Sequence, residues 1–235
     1  MQLNDKIALV TGGSSGIGKA IARSLIDQGC TVIATYNTQE PKENDKNFIF
    51  IKADFHKPGD VDQLFKEINS KFDHLDILVN NAGINRPRDL YATTVWQEIF
   101  QVNLFAAVQC VGKAVELMTT GKILNITSYY GDGKACWKGL PAYGASKAAL
   151  NHFTQVMAKN LAPNILINAI APGYVQTPLW KDTTEAQFVE NGKEQLINRM
   201  IQPEEIADMA IAILKNDAMT GEIVTVDGGI SLKTI

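Results

Sequence analysis

Cysteine and histidine are scarce in this sequence, with three residues of each type among 235. Cys30, Cys110 and Cys136 lie far apart and lack the spacing of metal ligands. We therefore expect no metal site, because no cluster of His, Cys and Asp supplies ligands. A sparse, odd set of cysteines is typical of free thiols in a reducing compartment, which predicts a cytoplasmic protein.

Long apolar runs and blocks of one charge are also missing. The formal net charge is -3, without the basic stripe of a nucleic-acid-binding protein. The apolar runs are short and broken by polar residues, so we expect no membrane span. The first predicted strand begins by Lys6, so we expect no secretory signal. The length and the 46% apolar content fit one α/β domain over residues 1–235.

Strand-like and helix-like segments alternate along the chain. Apolar runs predict strands at 6–10, 31–35, 48–53, 75–79, 122–127, 165–171 and 223–226. Amphipathic or alanine-rich stretches predict helices at 19–28, 61–72, 96–118, 143–161 and 203–214, and a polar loop at 37–47. Gly29 is expected to close the first helix, Asp60 to cap the second and Pro203 to begin the last. The pattern predicts a parallel sheet with helices on both faces.

A glycine-rich turn, TGGSSGIG at 11–18, follows the first strand directly. Such a turn lets the backbone approach a pyrophosphate, and the helix after it offers free N–H groups and a favourable dipole. The spacing differs from GxGxxG, and an ordinary tight turn is the alternative, but the position favours a dinucleotide site. The candidate cofactor-binding residues here are Gly12, Ser14, Ser15, Gly16, Ile17 and Gly18.

Tyr143 and Lys147 lie four residues apart in an alanine-rich segment, which places them on one helix face. A free tyrosine has a pKa of about 10, too high for a base near neutrality. A nearby ammonium group and an oxidised nicotinamide should lower that pKa. The pair therefore predicts an acid–base unit, whereas an amphipathic tyrosine beside a surface lysine is the alternative.

The motifs of the chain and their order resemble those of the short-chain dehydrogenase/reductase family, from residue 6 to residue 229. The resemblance rests on TGGSSGIG, Asp54, NNAG at 80–83, Asn103, Ser128, YGASK at 143–147, APG at 171–173, Thr177 and VDGG at 226–229. It implies a single Rossmann-like, doubly wound domain with a seven-stranded parallel sheet and helices on both faces. It also implies hydride transfer between a nicotinamide cofactor and a carbonyl or secondary alcohol. The 3-oxoacyl-carrier-protein reductase branch is the most similar, although that branch is also the family's generic pattern.

The resemblance assigns four catalytic residues. Ser128 would hold the substrate oxygen, Tyr143 would exchange the proton, and Lys147 would orient the ribose and tune Tyr143. Asn103 would bind a water that links Lys147 to solvent. Asparagine is a poor helix former, so its place in an apolar helical segment suggests a purpose. A satisfied buried amide is the alternative for Asn103, and a strand-end turn is the alternative for Ser128.

Further cofactor contacts are implied where strands end, as in other open parallel sheets. Asp54 or Phe55 is expected at the adenine ring, the NNAG backbone beside the ribose, and Val175 and Thr177 at the nicotinamide carboxamide. The full set of these candidates is Tyr36, Asn37, Asp54, Phe55, Asn81, Ala82, Gly83, Tyr143, Lys147, Pro172, Gly173, Val175 and Thr177.

The choice of cofactor depends on the residues after the second strand. An acidic residue there usually selects NAD by bonding the ribose 2′-hydroxyl. This chain has Tyr36, Asn37 and Thr38, with no carboxylate to repel a 2′-phosphate and no arginine at Ser15 to attract one. Asn37, Thr38, Ser14 and Lys42 could hydrogen-bond a phosphate. The sequence favours NADP(H), with NAD(H) as the alternative.

The substrate side departs from the family pattern. Ser128 and Tyr143 stand further apart than in most relatives, and the extra length falls in a loop expected to border the pocket. The stretch from Trp180 to Arg199 is expected to form a lid. Four aromatic residues either line a pocket or pack in the core: Tyr129, Tyr130, Trp137 and Trp180.

Two other functions share parts of this pattern. A nucleotide-sensing protein without catalysis would not need the complete Asn–Ser–Tyr–Lys set. A nucleotide-sugar epimerase or dehydratase is disfavoured by the TGxxxGxG spacing and the short carboxyl-terminal region. The predicted helices at 96–118 and 143–161 resemble those that pair subunits in the family, so a homotetramer is expected.

Overall fold

The computed structural model describes residues 1–43, 45–86, 90–132, 139–180 and 183–233. In these residues, parallel strands form one seven-stranded sheet in the order β3-β2-β1-β4-β5-β6-β7. The strands are β1 Ile7–Val10, β2 Thr31–Tyr36, β3 Phe48–Lys52, β4 Ile77–Asn80, β5 Gly121–Ile126, β6 Ile165–Pro172 and β7 Ile223–Val226. The predicted seven-stranded, doubly wound sheet is confirmed. Because the strand order reverses between β1 and β4, a crevice opens at their carboxyl ends.

Helices cover both faces of this sheet. They are α1 Gly16–Asp27, α2 Asp60–Lys71, α3 Thr93–Phe100, α4 Ala106–Leu117, α5 Pro141–Leu161, α6 Glu185–Lys193 and α7 Pro203–Lys215. Ala8 and Val10 face a core shared with α1 and α7, whereas Leu9 faces a second core shared with α2 and α4. Alternate side chains of a strand point to opposite faces, so an apolar run such as β1 stabilises both cores.

The predicted helix 96–118 is wrong as a single uniform helix. The segment begins three residues earlier, and a π-helical turn at Gln101–Phe105 separates α3 from α4. Such turns insert one extra residue into an α-helix and are frequent at functional sites. The inserted turn is centred on Asn103, whose side chain is buried.

Several helix ends differ from the expectation. Asp60 does not cap α2: Gly59 holds the cap position, and the Asp60 carboxylate accepts a hydrogen bond from the backbone N–H of Asp54 at 2.8 Å. Gly29 has a φ of 88° just past the end of α1, as expected of a closing glycine. Pro203 begins α7, as predicted.

The expected lid segment contains helix α6, which the sequence pattern does not predict. Thr184 and Gln187 form a capping box at its start. The polar composition of the helix hides it from a search for apolar periodicity, although the Thr-x-x-Gln spacing is a readable signal.

The described residues contain no helix long and apolar enough to cross a membrane. They also contain no group of three or more His, Cys, Asp and Glu side chains that could hold a metal ion.

Candidate active site

The glycine-rich turn and the NNAG segment are joined by hydrogen bonds at the carboxyl ends of β1 and β4. The Thr11 hydroxyl accepts hydrogen bonds from the N–H groups of Asn81 and Ala82 at 3.0 and 3.1 Å. The Asn81 amide donates to the carbonyls of Thr11 and Gly12 at 2.9 and 3.2 Å. Asn81 therefore shapes the turn with its side chain, rather than offering that side chain to a ligand.

This turn fits the pyrophosphate of a dinucleotide. Gly12 and Gly16 have φ angles of 62° and 53°, which only glycine adopts without strain. A Cβ atom at Gly18 would lie 2.4 Å from the Asn81 amide nitrogen, so the backbone there is already in close contact. The Ser15 side chain does not cap α1, and the first turn of α1 holds no acidic residue. Backbone N–H groups and the helix dipole therefore form a suitable anion cradle.

The two ends of the crevice meet at Thr177. A Cβ atom at Gly16 would lie 3.2 Å from the side chain of Thr177, which follows β6. Val175 is buried and bridges Ile201, while Gly173 donates to the carbonyl of Val226 at 3.0 Å. The structure therefore brings the segment Pro172–Thr177 against the glycine-rich turn, as the cofactor interpretation requires.

Ser128 and Tyr143 form the centre of the candidate site. Ser128 follows β5, and its side chain lies beside the Tyr143 side chain, whose pKa it influences. The Ser128 hydroxyl also accepts a hydrogen bond from the N–H of Tyr130 at 3.2 Å. A Cβ atom at Gly131 would lie 2.8 Å from the backbone of Lys147, so the turn after Ser128 packs directly on α5. This close packing fixes the distance between the serine and the tyrosine.

Lys147 lies on the same face of α5 as Tyr143. Its Nζ atom is 5.9 Å from the centroid of the Tyr143 ring and donates a hydrogen bond to the carbonyl of Ile126 at 2.8 Å. The predicted lysine–phenol pair is thus brought together. Burial lowers the pKa of Lys147 to about 8.

The expected lowering of the Tyr143 pKa is not found. Burial raises the pKa of Tyr143, and the neighbouring Ser128 side chain opposes that rise. The Lys147 ammonium donates its hydrogen bond to the Ile126 carbonyl, and burial is the largest cause of the shift in the Tyr143 pKa. The protein groups alone therefore keep the phenol protonated near neutral pH, in the form that donates a proton.

The Asn103 side chain is satisfied by protein groups. Its Oδ1 atom accepts from the N–H of Ile84 at 2.8 Å. Its Nδ2 atom donates to the carbonyl of Ile84 at 2.9 Å and to the hydroxyl of Ser146 at 3.1 Å. The sequence allows two interpretations of Asn103, as a residue that binds a water or as a buried amide satisfied by protein groups. Its side-chain hydrogen bonds match the satisfied buried amide. A Cβ atom at Gly83 would lie 3.4 Å from both Asn103 Oδ1 and Lys147 Nζ, so Asn103 still lies beside the lysine.

The sequence-based reasoning missed a buried polar chain behind the site. Asn80 donates to Asn125 at 2.9 Å, and Asn125 donates to Thr154 at 2.9 Å, which connects β4, β5 and α5. The Ser146 hydroxyl, which receives the Asn103 bond, donates to the carbonyl of Tyr143 at 2.7 Å. The polar Asn125 inside an apolar strand was a readable signal, by the same argument that marks Asn103.

The adenosine end of the crevice is more acidic than the sequence suggested. Tyr36 ends β2; desolvation and then the charge of Glu40 raise the pKa of its phenol. The residues Tyr36, Asn37 and Thr38 hold no carboxylate, as the sequence indicates, but Glu40 lies near the Tyr36 side chain. Asn37 donates to the Asp54 carboxylate at 3.4 Å, and the side chain of Phe55 is buried in a core.

Positive charge near the start of α1 is already paired. Lys19 Nζ lies 2.6 Å from a carboxylate oxygen of Glu43, and Arg23 is paired with Glu43 and Asp45. The Asp54 carboxylate is hydrogen-bonded to His56, and this bond lowers the pKa of Asp54. These contacts leave Asp54 anionic and the nearby cations neutralised.

Three of the four aromatic residues considered for the pocket lie near the candidate site. Tyr130 stands edge-on to Tyr143 with ring centroids 6.2 Å apart, and Tyr129 stacks against Tyr130 at 4.1 Å. Trp180 packs against Tyr174 at 5.4 Å. Trp137 lies outside the described residues, as does Cys136.

The fold and this site together define a dinucleotide-binding oxidoreductase with a serine–tyrosine–lysine centre. A profile described as short chain dehydrogenase matches residues 6–187. The chain belongs to the short-chain dehydrogenase/reductase family. It is accordingly an NAD(P)-dependent oxidoreductase of CH–OH and C=O groups, similar to the 3-oxoacyl-carrier-protein reductase branch.

Individual relatives cover nearly the whole chain. A 3-oxoacyl-[acyl-carrier-protein] reductase of Aquifex aeolicus is 35% identical over 97% of this chain and 98% of its own length. An NAD-dependent glycerol dehydrogenase of Listeria innocua is 33% identical, with 98% of this chain and 96% of the relative covered. The ligand-free structure of an aldohexose dehydrogenase of Thermoplasma acidophilum has a TM-score of 0.90 and 31% identity, with 99% and 96% covered.

Proposed function

We propose that Ser128, Tyr143 and Lys147 carry the oxidoreductase reaction of this chain, and that Asn103 is a positioning residue for them. The single observation that supports this most is that the buried Lys147 places its Nζ atom 5.9 Å from the centroid of the Tyr143 ring, one helical turn from that residue. The nicotinamide cofactor, when bound in the crevice between the glycine-rich turn and Thr177, supplies or accepts the hydride.

Each residue has a separate task in the reductive direction. Ser128 donates a hydrogen bond to the substrate oxygen and stabilises the charge that develops on it. Tyr143, kept protonated by burial, donates its phenolic proton to that oxygen. Lys147 orients the cofactor ribose, and Asn103 positions α5 by binding Ser146 and Ile84. In the oxidative direction, Tyr143 must first lose its proton, so we expect oxidation to speed up as the pH rises.

The substitution Tyr143→Phe tests the proposal. It should lower kcat about 10²–10⁴-fold, because the proton donor is lost while the ring still packs. Isothermal titration with NADP⁺ and NAD⁺ should show little change in cofactor affinity. Turnover near the wild-type rate would refute the role of Tyr143. Tight cofactor binding without turnover of any carbonyl or alcohol by the wild type would instead favour a nucleotide sensor.

The preference between the two nicotinamide cofactors is a separate proposal. The sequence favours NADP(H), but the Glu40 carboxylate beside Tyr36 and the pairing of Lys19 with Glu43 argue the other way. An anion near the ribose weakens binding of a 2′-phosphate and does not penalise a 2′-hydroxyl. We therefore propose that the enzyme uses NAD(H) at least as well as NADP(H). Comparing kcat/KM for NADH and NADPH tests this, and a strong NADPH preference would overturn it.

We also propose self-association through α4 and α5, as in the homotetramer that the resemblance implies. Phe105 precedes α4, Val108 lies on α4 and Val156 lies on α5, and these side chains are 48%, 37% and 42% exposed. Exposed apolar residues on adjacent helices are typical of a subunit interface. Light scattering of the wild type and of Val156→Glu tests the proposal; a monomeric wild type would contradict it.

A cytoplasmic location is supported by the free, buried thiols of Cys30 and Cys110.

A further inference from the structure

Three tyrosines and one tryptophan form a cluster at the carboxyl ends of β5 and β6. We call Tyr129, Tyr130, Tyr174 and Trp180 the tyrosine cluster. The hydroxyls of Tyr130 and Tyr174 are 2.9 Å apart, and the Tyr129 ring lies 4.1 and 5.8 Å from the centroids of the Tyr130 and Tyr174 rings. The Tyr129 and Tyr174 rings are buried, whereas Tyr130 and Trp180 are partly exposed. A phenol combines a flat apolar ring with a polar tip, so the cluster presents both kinds of surface.

The tyrosine cluster is continuous with the catalytic centre. Tyr130 connects the two, because its N–H binds the Ser128 hydroxyl and its ring stands edge-on to Tyr143. Tyr174 directly follows the Pro172–Gly173 turn, on which the nicotinamide end of the crevice depends. A substrate oxygen held between Ser128 and Tyr143 therefore places the rest of the substrate near Tyr130.

The cluster ends on a carboxylate. Glu194, an exposed residue just after α6, lies near Tyr174 and Tyr130, and its charge raises the pKa of both phenols. A carboxylate only accepts hydrogen bonds, and it has about four acceptor positions. A single phenol would occupy one of these positions at most. Glu194 can therefore bind further O–H donors.

We propose that the substrate of this enzyme is polyhydroxylated, a polyol or a sugar, with its additional hydroxyls bound by Tyr130 and Glu194. The partly exposed rings of Tyr130 and Trp180 suit the C–H face of such a molecule. This inference rests on the proposed catalytic function and adds the class of substrate to it.

The reaction on such a substrate balances without any further reactant. Tyr143 first releases its phenolic proton to solvent. The substrate then loses a hydride from the carbon that carries the reacting hydroxyl, and its O–H proton passes to the deprotonated Tyr143 oxygen. The carbon–oxygen single bond becomes a carbonyl, and the oxidised nicotinamide is reduced. In the reverse reaction, the hydride returns to the carbonyl carbon and the proton returns to the carbonyl oxygen.

A long acyl chain is less well matched to the surface that the tyrosine cluster and Glu194 form. It would place methylene groups against phenol oxygens and against the Glu194 carboxylate, which it cannot hydrogen-bond. Covering polar groups without giving them partners costs free energy. A site built to bond hydroxyls also discriminates strongly against analogues that lack them.

The first test is a substrate panel measured with both nicotinamide cofactors. Sorbitol, glycerol and d-glucose represent polyhydroxylated substrates, cyclohexanol represents a single hydroxyl, and acetoacetyl-CoA represents acyl ketones. We expect the highest kcat/KM for a polyhydroxylated compound, at least tenfold above that for cyclohexanol. A higher kcat/KM for acetoacetyl-CoA or cyclohexanol than for every polyhydroxylated compound would overturn this inference and leave the proposed function intact. Turnover that survives Tyr143→Phe would contradict the proposed function instead.

The second test uses the variants Tyr130→Phe and Glu194→Gln, with Glu190→Gln on the exposed face of α6 as the control. Each test variant should lower the ratio of kcat/KM for the best polyhydroxylated substrate to that for cyclohexanol at least tenfold. Glu190→Gln should leave the ratio unchanged. Thermal-shift measurements on the enzyme with bound cofactor should show the same loss in stabilisation by the polyhydroxylated substrate. An unchanged ratio in both test variants, with the fold intact by circular dichroism, would refute the assignment.

Discussion

The Nζ atom of Lys147 lies 5.9 Å from the centroid of the Tyr143 ring, and its hydrogen bond goes to the carbonyl of Ile126. Burial at this site disfavours both charged forms, since it lowers the pKa of Lys147 and raises that of Tyr143. A neutral phenol and an easily discharged lysine are suited to proton donation. The protein thus prepares the reductive half of the reaction before any ligand contributes charge.

The buried lysine should make stability depend on pH. The pKa of Lys147 falls from 10.5 to about 8 on folding, so the unfolded chain binds more protons between these values and stability rises with pH there. Relative to Lys147→Met, the free energy of unfolding of the wild type should rise by about 3 kcal/mol from pH 8 to 10.5. Urea denaturation across this range measures it.

The control for that experiment is Lys66→Met, which replaces an exposed lysine on α2. Its difference from the wild type should not change over the same range. A difference between the wild type and Lys147→Met that stays constant would show that Lys147 is not desolvated.

The glycine-rich turn should not tolerate a methyl group at Gly18. A Cβ atom there would lie 2.4 Å from both the Asn81 amide nitrogen and the Gly12 carbonyl. Gly18→Ala should therefore displace the turn and weaken cofactor binding at least tenfold, as measured by isothermal titration. The matched control is Gly112→Ala on α4, where a Cβ atom meets nothing within 4 Å. That variant should bind normally and gain about 0.5–1 kcal/mol of stability. Equal affinities in the two variants would contradict this view of the turn.

Removing the Asn103 side chain should destabilise the fold. Asn103→Ala deletes three hydrogen bonds, one buried and two part-buried, and leaves both backbone polar groups of Ile84 without these partners. The expected loss is about 2–4 kcal/mol in urea denaturation, together with a lower kcat. Asn160→Ala removes an exposed amide that bonds its own helix at 2.8 Å and should cost less than 1 kcal/mol. Similar losses in both variants would argue against a supporting role for Asn103.

The Glu40 carboxylate should limit the use of NADP(H). Glu40→Gln removes the negative charge beside Tyr36, so the ratio of kcat/KM for NADPH to that for NADH should rise several-fold. Glu116→Gln makes the same charge change on α4 and should leave the ratio unaltered. If Glu40→Gln also leaves it unaltered, another group controls the choice of cofactor.

The sequence by itself determined the architecture and the location of the chemistry. Seven apolar runs define the strands, and the TGGSSGIG turn and the Tyr143–Lys147 spacing define the two ends of the site. Each of these features is a local pattern of a few neighbouring residues and can therefore be read from the sequence. Only the tertiary structure decided that Asn103 binds Ile84 and Ser146, and that burial dominates the Tyr143 pKa. These properties depend on segments far apart along the chain, or on how deeply packing covers a group, and local periodicity carries no information about either.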